Sequence, residues 1–279
     1  MTQRPLKKVS PSREHPAWTY RAAGLRCEVW PTDRLPATTL DDIAGLYLGV
    51  VEISRANYQR SLASKDYAVA MYDRDRRPVA TLCVKWHVVS HPRTGTDAWL
   101  IGVHHAAILP AWRGRNIVQA SGLEFLLRHR RRHPWAPTWW VFTTYSHRSY
   151  LGMARNFPRS WPTARAPAMP PDQAAMVDSL MSRIHPHEWD RERGVLRWPD
   201  RRLVAAEAEP DPARVARDPD LAFFVAANPG YASGDCLVCL ADLSWTNLAR
   251  AAWLSYVQRP LVRRIDRSRA LDRSARRLS

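Results

Sequence analysis

Ala107-Ile108-Leu109-Pro110-Ala111-Trp112-Arg113-Gly114-Arg115-Asn116-Ile117-Val118 is the stretch on which the fold turns. Upstream of it, residues 99–109 form a β-prone run that stops at Pro110, a residue with no N–H to give to a ladder. From Gly114 onward the apolar period becomes helical. Ile117, Ala120, Leu123 and Leu127 fall near one stripe, and Arg128 to Arg132 bring positive charge to the favourable C-terminal end. The spacing therefore predicts strand, tight turn and a helix over 114–130. Such a turn leaves backbone N–H groups at Arg113 to Asn116 without helical partners. With the helix dipole and two arginines, those groups make an anion-binding site.

Working outward, residues 67–72 and 78–86 are two β-prone runs around a charged turn, which predicts a hairpin. Before them, residues 26–30 read as a first strand, and Thr39 as the cap of a helix continuing to about Tyr58. After the central stretch come a strand over 139–144 and a helix over 146–156. This order predicts an α/β protein with a mixed central sheet flanked by helices. The proline-rich residues 158–170 read as a connector, and 172–184 as a helix. Residues 221–226 and 235–240 read as two strands, and 247–257 as a helix. The expected organisation is a basic arm over 1–17, a core over 18–165, an extension over 166–262 packed on or completing the core, and a basic tail over 263–279.

Forty-two Lys and Arg against 26 Asp and Glu give a net charge of +16, a field that attracts polyanions and acidic partners. With 46% hydrophobic residues and 13 tryptophans, the chain has material for a sizeable core, which argues against disorder throughout. No apolar run approaches the roughly 20 residues that span a bilayer. No apolar signal core follows the basic N-terminus, so a cytoplasmic location is expected. Of Cys27, Cys83, Cys236 and Cys239, only the last two are close. A zinc site needs more ligands than one C-x-x-C supplies, and 234–240 alternates like a strand, so these read as strand cysteines rather than a redox pair. His133, His185 and His187 lack partners at metal-ligand spacing, and no metal is expected.

The segment 107–118, with the elements around it over roughly residues 38–165, resembles the coenzyme-binding core of the Gcn5-related N-acetyltransferase superfamily. The family pattern is a strand that ends in a bulge beside the pantetheine, then Arg/Gln-x-x-Gly-x-Gly/Ala wrapping the pyrophosphate. Here Arg113 stands at the leading position, Asn116 where the central glycine belongs and Val118 where the last small residue belongs. Asparagine can take the positive φ that glycine takes, whereas valine narrows the groove. The resemblance implies an acyl-CoA N-acyltransferase-like fold with a C-terminal extension, forming an amide from an activated acyl donor and a small amine. It implies donor contacts at Ala107, Ile108, Leu109, Arg113, Gly114, Arg115, Asn116, Ile117 and Val118, with backbone N–H groups of 107–109 orienting the carbonyl.

For proton removal the first candidates are His104 and His105, adjacent on a strand and so directed to opposite sides. Glu52 and Asp97 stand behind them. The family's thiolate-protonating tyrosine aligns with Met153, which leaves Tyr145 and Tyr150 as its nearest substitutes. Acyl-CoA or acetyl-CoA is the expected donor. An acidic acyl carrier protein and an aminoacyl-tRNA are the alternatives, with Arg128, Arg130, Arg131, Arg132, Arg263 and Arg264 as polyanion contacts. A different class remains beside these: a non-catalytic nucleic-acid-binding protein on the same scaffold, with no expected membrane association.

Overall fold

The computed structural model describes residues 15–204 and 209–253. Arg263, Arg264 and the rest of the tail lie outside the described residues. The described residues divide into two compact units: those within 1–49, 54–85 and 104–123 form one, and those within 50–53, 86–103 and 124–279 the other.

In the first unit, Trp18–Ala22 (β1) and Leu25–Pro31 (β2) make an antiparallel hairpin. Its two-residue loop, Ala23 and Gly24, has φ of 52° and 83°, the sign that a primed hairpin turn requires. Next comes Ala37–Leu48 (α1), which buries Ile43, Ala44 and Tyr47. The single helix expected from Thr39 to Tyr58 is in fact two. Pro36 occupies the N-cap position, and Thr39 lies inside α1, buried. The chain leaves α1 at Gly49 and passes through the short strand Val51–Glu52 (β3), which belongs to the second unit. A new helix, Arg55–Ala63 (α2), then begins where the Ser54 hydroxyl accepts the Asn57 N–H at 3.1 Å. The predicted hairpin is present as Tyr67–Tyr72 (β4) and Pro78–Ser90 (β5), with β2, β4 and β5 neighbours in antiparallel order. Glu28 is buried in this sheet and held by Arg26 at 3.1 Å and Arg76 at 2.6 Å.

Three elements contribute residues to both units: β5, Asp97–Ile108 (β6) and Ile117–Arg132 (α3). In the second unit, Thr138–Thr144 (β7) runs parallel to β6, pairing residues 138–141 with 99–102. There follow His147–Asn156 (α4), Ser160–Trp161 (β8), Pro171–Ile184 (α5), Trp189–Asp190 (β9), Val195–Leu196 (β10) and Arg202–Leu203 (β11). The last segments are Pro212–Val215 (α6), Pro219–Ala227 (α7), Cys236–Asp242 (β12) and Trp245–Ala252 (α8). The strand order is β6, β7, β12, β10, β9, with β8 also on β12 and β11 paired with β3. One parallel pair among antiparallel ones makes the sheet mixed.

Strand alternation assigns the two faces. Trp139, Val141, Cys236, Val238 and Leu240 join Met176, Val177, Leu180 and Met181 of α5 in one cluster. Phe142, Leu237, Cys239 and Ala241 join Tyr150, Leu151, Met153, Leu221 and Phe224 of α4 and α7 in the other. A mixed central sheet flanked by helices is thus observed. The four buried α5 side chains, spaced i, i+1, i+4, i+5, each contribute about 1.5–3 kcal/mol relative to exposure. Cys236 and Cys239 lie on opposite faces of β12, buried and unpaired, as strand cysteines do.

The run 221–226, expected as a strand, is the helix α7. Asp218 accepts the Leu221 N–H at 3.3 Å, and Pro219 takes the first helical turn, where a missing N–H costs nothing. No helix of the described residues is long and apolar enough to cross a membrane.

Candidate functional site

The last strand residues of β6 and the turn after them lie in the first unit. His105 sits within β6 at φ 48°, a conformation that a non-glycine residue adopts only when its surroundings hold it. The backbone therefore bulges at this point, and the strand alternation that directed His104 and His105 to opposite sides is interrupted. His105 is buried, while His104 is half-buried.

What holds the bulge is a cluster from α1 and α2. Ser61 Oγ lies 3.0 Å from His105 Nε2. The rings of Tyr47 and Tyr58 lie 4.9 and 5.2 Å from the imidazole, centroid to centroid, and stack on each other at 5.2 Å. Burial, then Cys83 and Tyr47, push the Tyr58 hydroxyl above its ordinary range, so it stays protonated. Burial likewise raises the Cys83 thiol to about 12, which removes it as a nucleophile. Ser61, Tyr47 and Tyr58 were not singled out by sequence reasoning. Tyr58 and Ser61 share one face of α2 by their i, i+3 spacing, but nothing in the sequence tells that this face meets a residue 44 positions away.

Beyond the bulge, β6 ends and the chain turns. Leu109 N–H bonds to the Val79 carbonyl at 3.0 Å, and Trp112 N–H to the Leu109 carbonyl at 2.9 Å. Arg113 N–H bonds to the Pro110 carbonyl at 3.2 Å, and Arg113 Nε reaches back to the Ile108 carbonyl at 3.3 Å. Two expectations change here. The Leu109 N–H is engaged by β5 and the Arg113 N–H within the turn, and the Arg113 side chain ties the turn to the strand it left.

Gly114 then has φ 77° and Asn116 φ 56°. Asn116 thus takes the left-handed conformation usual for glycine. The first helical bond of α3 runs from Ala120 N–H to the Asn116 carbonyl, so the N–H groups of Ile117, Val118 and Gln119 stand at the open end of the helix. Arg115 is exposed, its guanidinium 4.3 Å from the centre of the Trp112 ring. Ala107 is buried in the strand and Ile108 half-buried. The arrangement supplies outward N–H groups, a helix dipole and a flanking cation, which together suit a phosphate.

The other expected site residues among the described ones lie in the second unit. Tyr150 is enclosed by the α4–α7 cluster, its ring 5.1 Å from that of Phe224. Burial pushes its hydroxyl above the ordinary range, and that hydroxyl has no hydrogen-bond partner among the described residues. Tyr150 is a core residue and not a proton donor in a cleft. Tyr145 is partly buried against the α5 cluster. Glu52 pairs with Arg202 at 2.5 Å, and Asp97 opens β6 in an exposed position. Arg130 is buried and spends its guanidinium on backbone carbonyls, so it is not a phosphate contact, whereas Arg131 and Arg132 are exposed. Arg128 pairs with Glu124 at 2.6 Å. Among the described residues no group of three or more His, Cys, Asp or Glu is placed to hold a metal ion.

No protein-family model matches the chain, and no curated protein does. Among solved structures, a probable N-acyltransferase of unknown function from Enterococcus faecalis is similar at 13% identity and a TM-score of 0.35, over 49% of this chain and 34% of its own. The chain thus spans about a third of that protein. An acyl-CoA N-acyltransferase from Pseudomonas aeruginosa is similar at 13% identity and a TM-score of 0.29, over 43% of this chain and 80% of its own. Escherichia coli ElaA is similar at 13% identity and a TM-score of 0.33, over 50% of this chain and 88% of its own. In each case the likeness reaches at most half of this chain.

Proposed function

We propose that this protein is an acyltransferase that moves an acyl group from coenzyme A to an amine. The observation that carries the reading is the pair of positive φ angles at Gly114 and Asn116, which open the N-terminus of α3 at the end of the turn that follows β6. Such a turn presents the N–H groups of 117–119 to an anion, and the diphosphate of coenzyme A is the anion an acyl donor would bring. The positive φ at Asn116 bears on one of the two departures of this segment from the superfamily pattern, because asparagine here takes the conformation expected of glycine, while Val118 stays a departure.

The reaction has three parts. The donor thioester is held beside β6, the attacking nitrogen loses a proton, and the thiolate leaves. In this reading His104, half-buried next to the bulge, accepts the proton from the amine as the C–N bond forms and the C–S bond breaks. His105 is a positioning residue: its contact with Ser61 and its two tyrosine neighbours fix the bulge that aims the strand end. The leaving thiolate takes its proton from solvent.

Calorimetric titration with coenzyme A tests the donor half of the proposal. Binding is expected in the wild type, retained in Asn116→Gly, and weakened about tenfold in Arg115→Gln through loss of one charge-assisted contact. Absence of binding, or binding indifferent to Arg115 and to Asn116→Val alike, would contradict it.

A further inference from the structure

The C-terminal end of α3 carries a second feature, wholly within the second unit and independent of the acyl-transfer reading. Arg130 is 8% exposed. Its guanidinium donates to the carbonyl oxygens of Pro134 at 3.2 Å, Ala136 at 2.6 Å and Leu243 at 3.1 Å. The first two carbonyls flank Trp135, and the third lies two residues before Trp245 at the start of α8. One buried cation thus ties the Trp135 loop to the entry of α8, where Trp245 is the first residue.

Both indoles remain in water: Trp135 is 87% exposed and Trp245 51%. Tryptophan is on average among the more buried residues, so two exposed indoles, one on a loop and one at a helix start, on backbone pinned by one guanidinium are a departure that calls for a partner. The Arg130 guanidinium also lies 5.7 Å from the centre of the Trp245 ring. The charge around them is positive. Arg131 and Arg132 are exposed immediately before the Trp135 loop, and Arg250 is exposed on α8. Asp242 is answered by Arg159 at 3.1 Å and accepts both the N–H and the hydroxyl of Ser244.

We propose that Trp135 and Trp245, with Arg131, Arg132 and Arg159, form a binding surface for single-stranded nucleic acid. Unpaired bases stack on the indole faces, and the phosphates between them meet the guanidinium groups. The chemistry favours this partner over a lipid surface. A membrane takes up a continuous apolar face, whereas here Arg131, Arg132, Thr246 and Arg250, all exposed, interrupt the exposed apolar residues Pro134, Ala249 and Trp253 around the two indoles. It also favours single strands over duplex, whose bases offer no free face to stack.

The test uses the full chain and a fluorescent oligouridylate of about ten nucleotides, followed by anisotropy over a range of salt. Trp135→Ala and Trp245→Ala, both at exposed positions, are expected to keep the far-ultraviolet circular dichroism of the wild type. Each is expected to weaken binding by about tenfold or more. Arg131→Gln with Arg132→Gln is expected to lower the slope of log affinity against log salt by about 1.4. Binding unchanged in both tryptophan variants would overturn the proposal, because the net positive charge would then account for all of it. Binding to phosphatidylserine vesicles with none to the oligonucleotide would overturn it in favour of a lipid surface.

Discussion

Asn116 holds φ at 56° one residue before α3, and His105 holds φ at 48° inside β6. For a residue with a branched or bulky side chain this region costs about 1–2 kcal/mol, because Cβ crowds the following carbonyl. Asn116→Gly is therefore expected to leave stability nearly unchanged, while Asn116→Val loses about 1–2 kcal/mol in urea unfolding. At His105 the same logic separates backbone from ring. His105→Gly and His105→Ala both lose the Ser61 contact, but glycine is expected to be the more stable of the two by about 1 kcal/mol. The sequence announced the first of these positions, since Asn116 stands in a Gly-containing turn where a left-handed residue belongs. It was silent on the second: alternation through 99–109 reads as an unbroken strand, and the bulge depends on Ser61, Tyr47 and Tyr58, which approach from distant helices.

The strand, turn and helix around 107–118 were legible because Pro110 and Gly114 punctuate a change of period from two to 3.6. The hairpin of β4 and β5 was legible from its charged turn. The run 221–226 was not, because a segment apolar at every position has no period to read. Its signal was the Asp218-Pro219 pair ahead of it, a helix start. Gly234, two residues before β12, makes a testable case of a turn whose sequence cue was partial. It has φ 104°, and a Cβ there would stand 2.1 Å from the Arg201 carbonyl oxygen and 2.4 Å from that of Trp198. Both obstacles are backbone atoms, which cannot rotate away. Gly234→Ala is expected to destabilise by more than the roughly 1 kcal/mol of the conformation alone, measured by thermal or urea unfolding.

At the scale of the whole molecule, His129 and His147 bear on its response to acid. His129 is lowered to about 4, chiefly by burial and then by His133 and Arg130. His147 is lowered to about 4 by burial and then by Arg148 and Arg214. In each case the unfolded chain binds the proton more readily than the folded one between the ordinary 6.5 and about 4. Stability is therefore expected to be fully present above pH 6.5 and to fall as pH drops through that window. His129→Phe, which keeps a ring between Trp86 and Trp99, should flatten part of that acid limb in unfolding curves taken across it. The central claim, acyl transfer from coenzyme A, is tested most directly by following free thiol release from acetyl-CoA with the purified protein and a panel of primary amines. Thiol release that depends on the amine, saturates with acetyl-CoA and yields the matching amide by mass spectrometry is the predicted result. No amine-dependent release from acetyl-CoA or from longer acyl-CoA donors would contradict it.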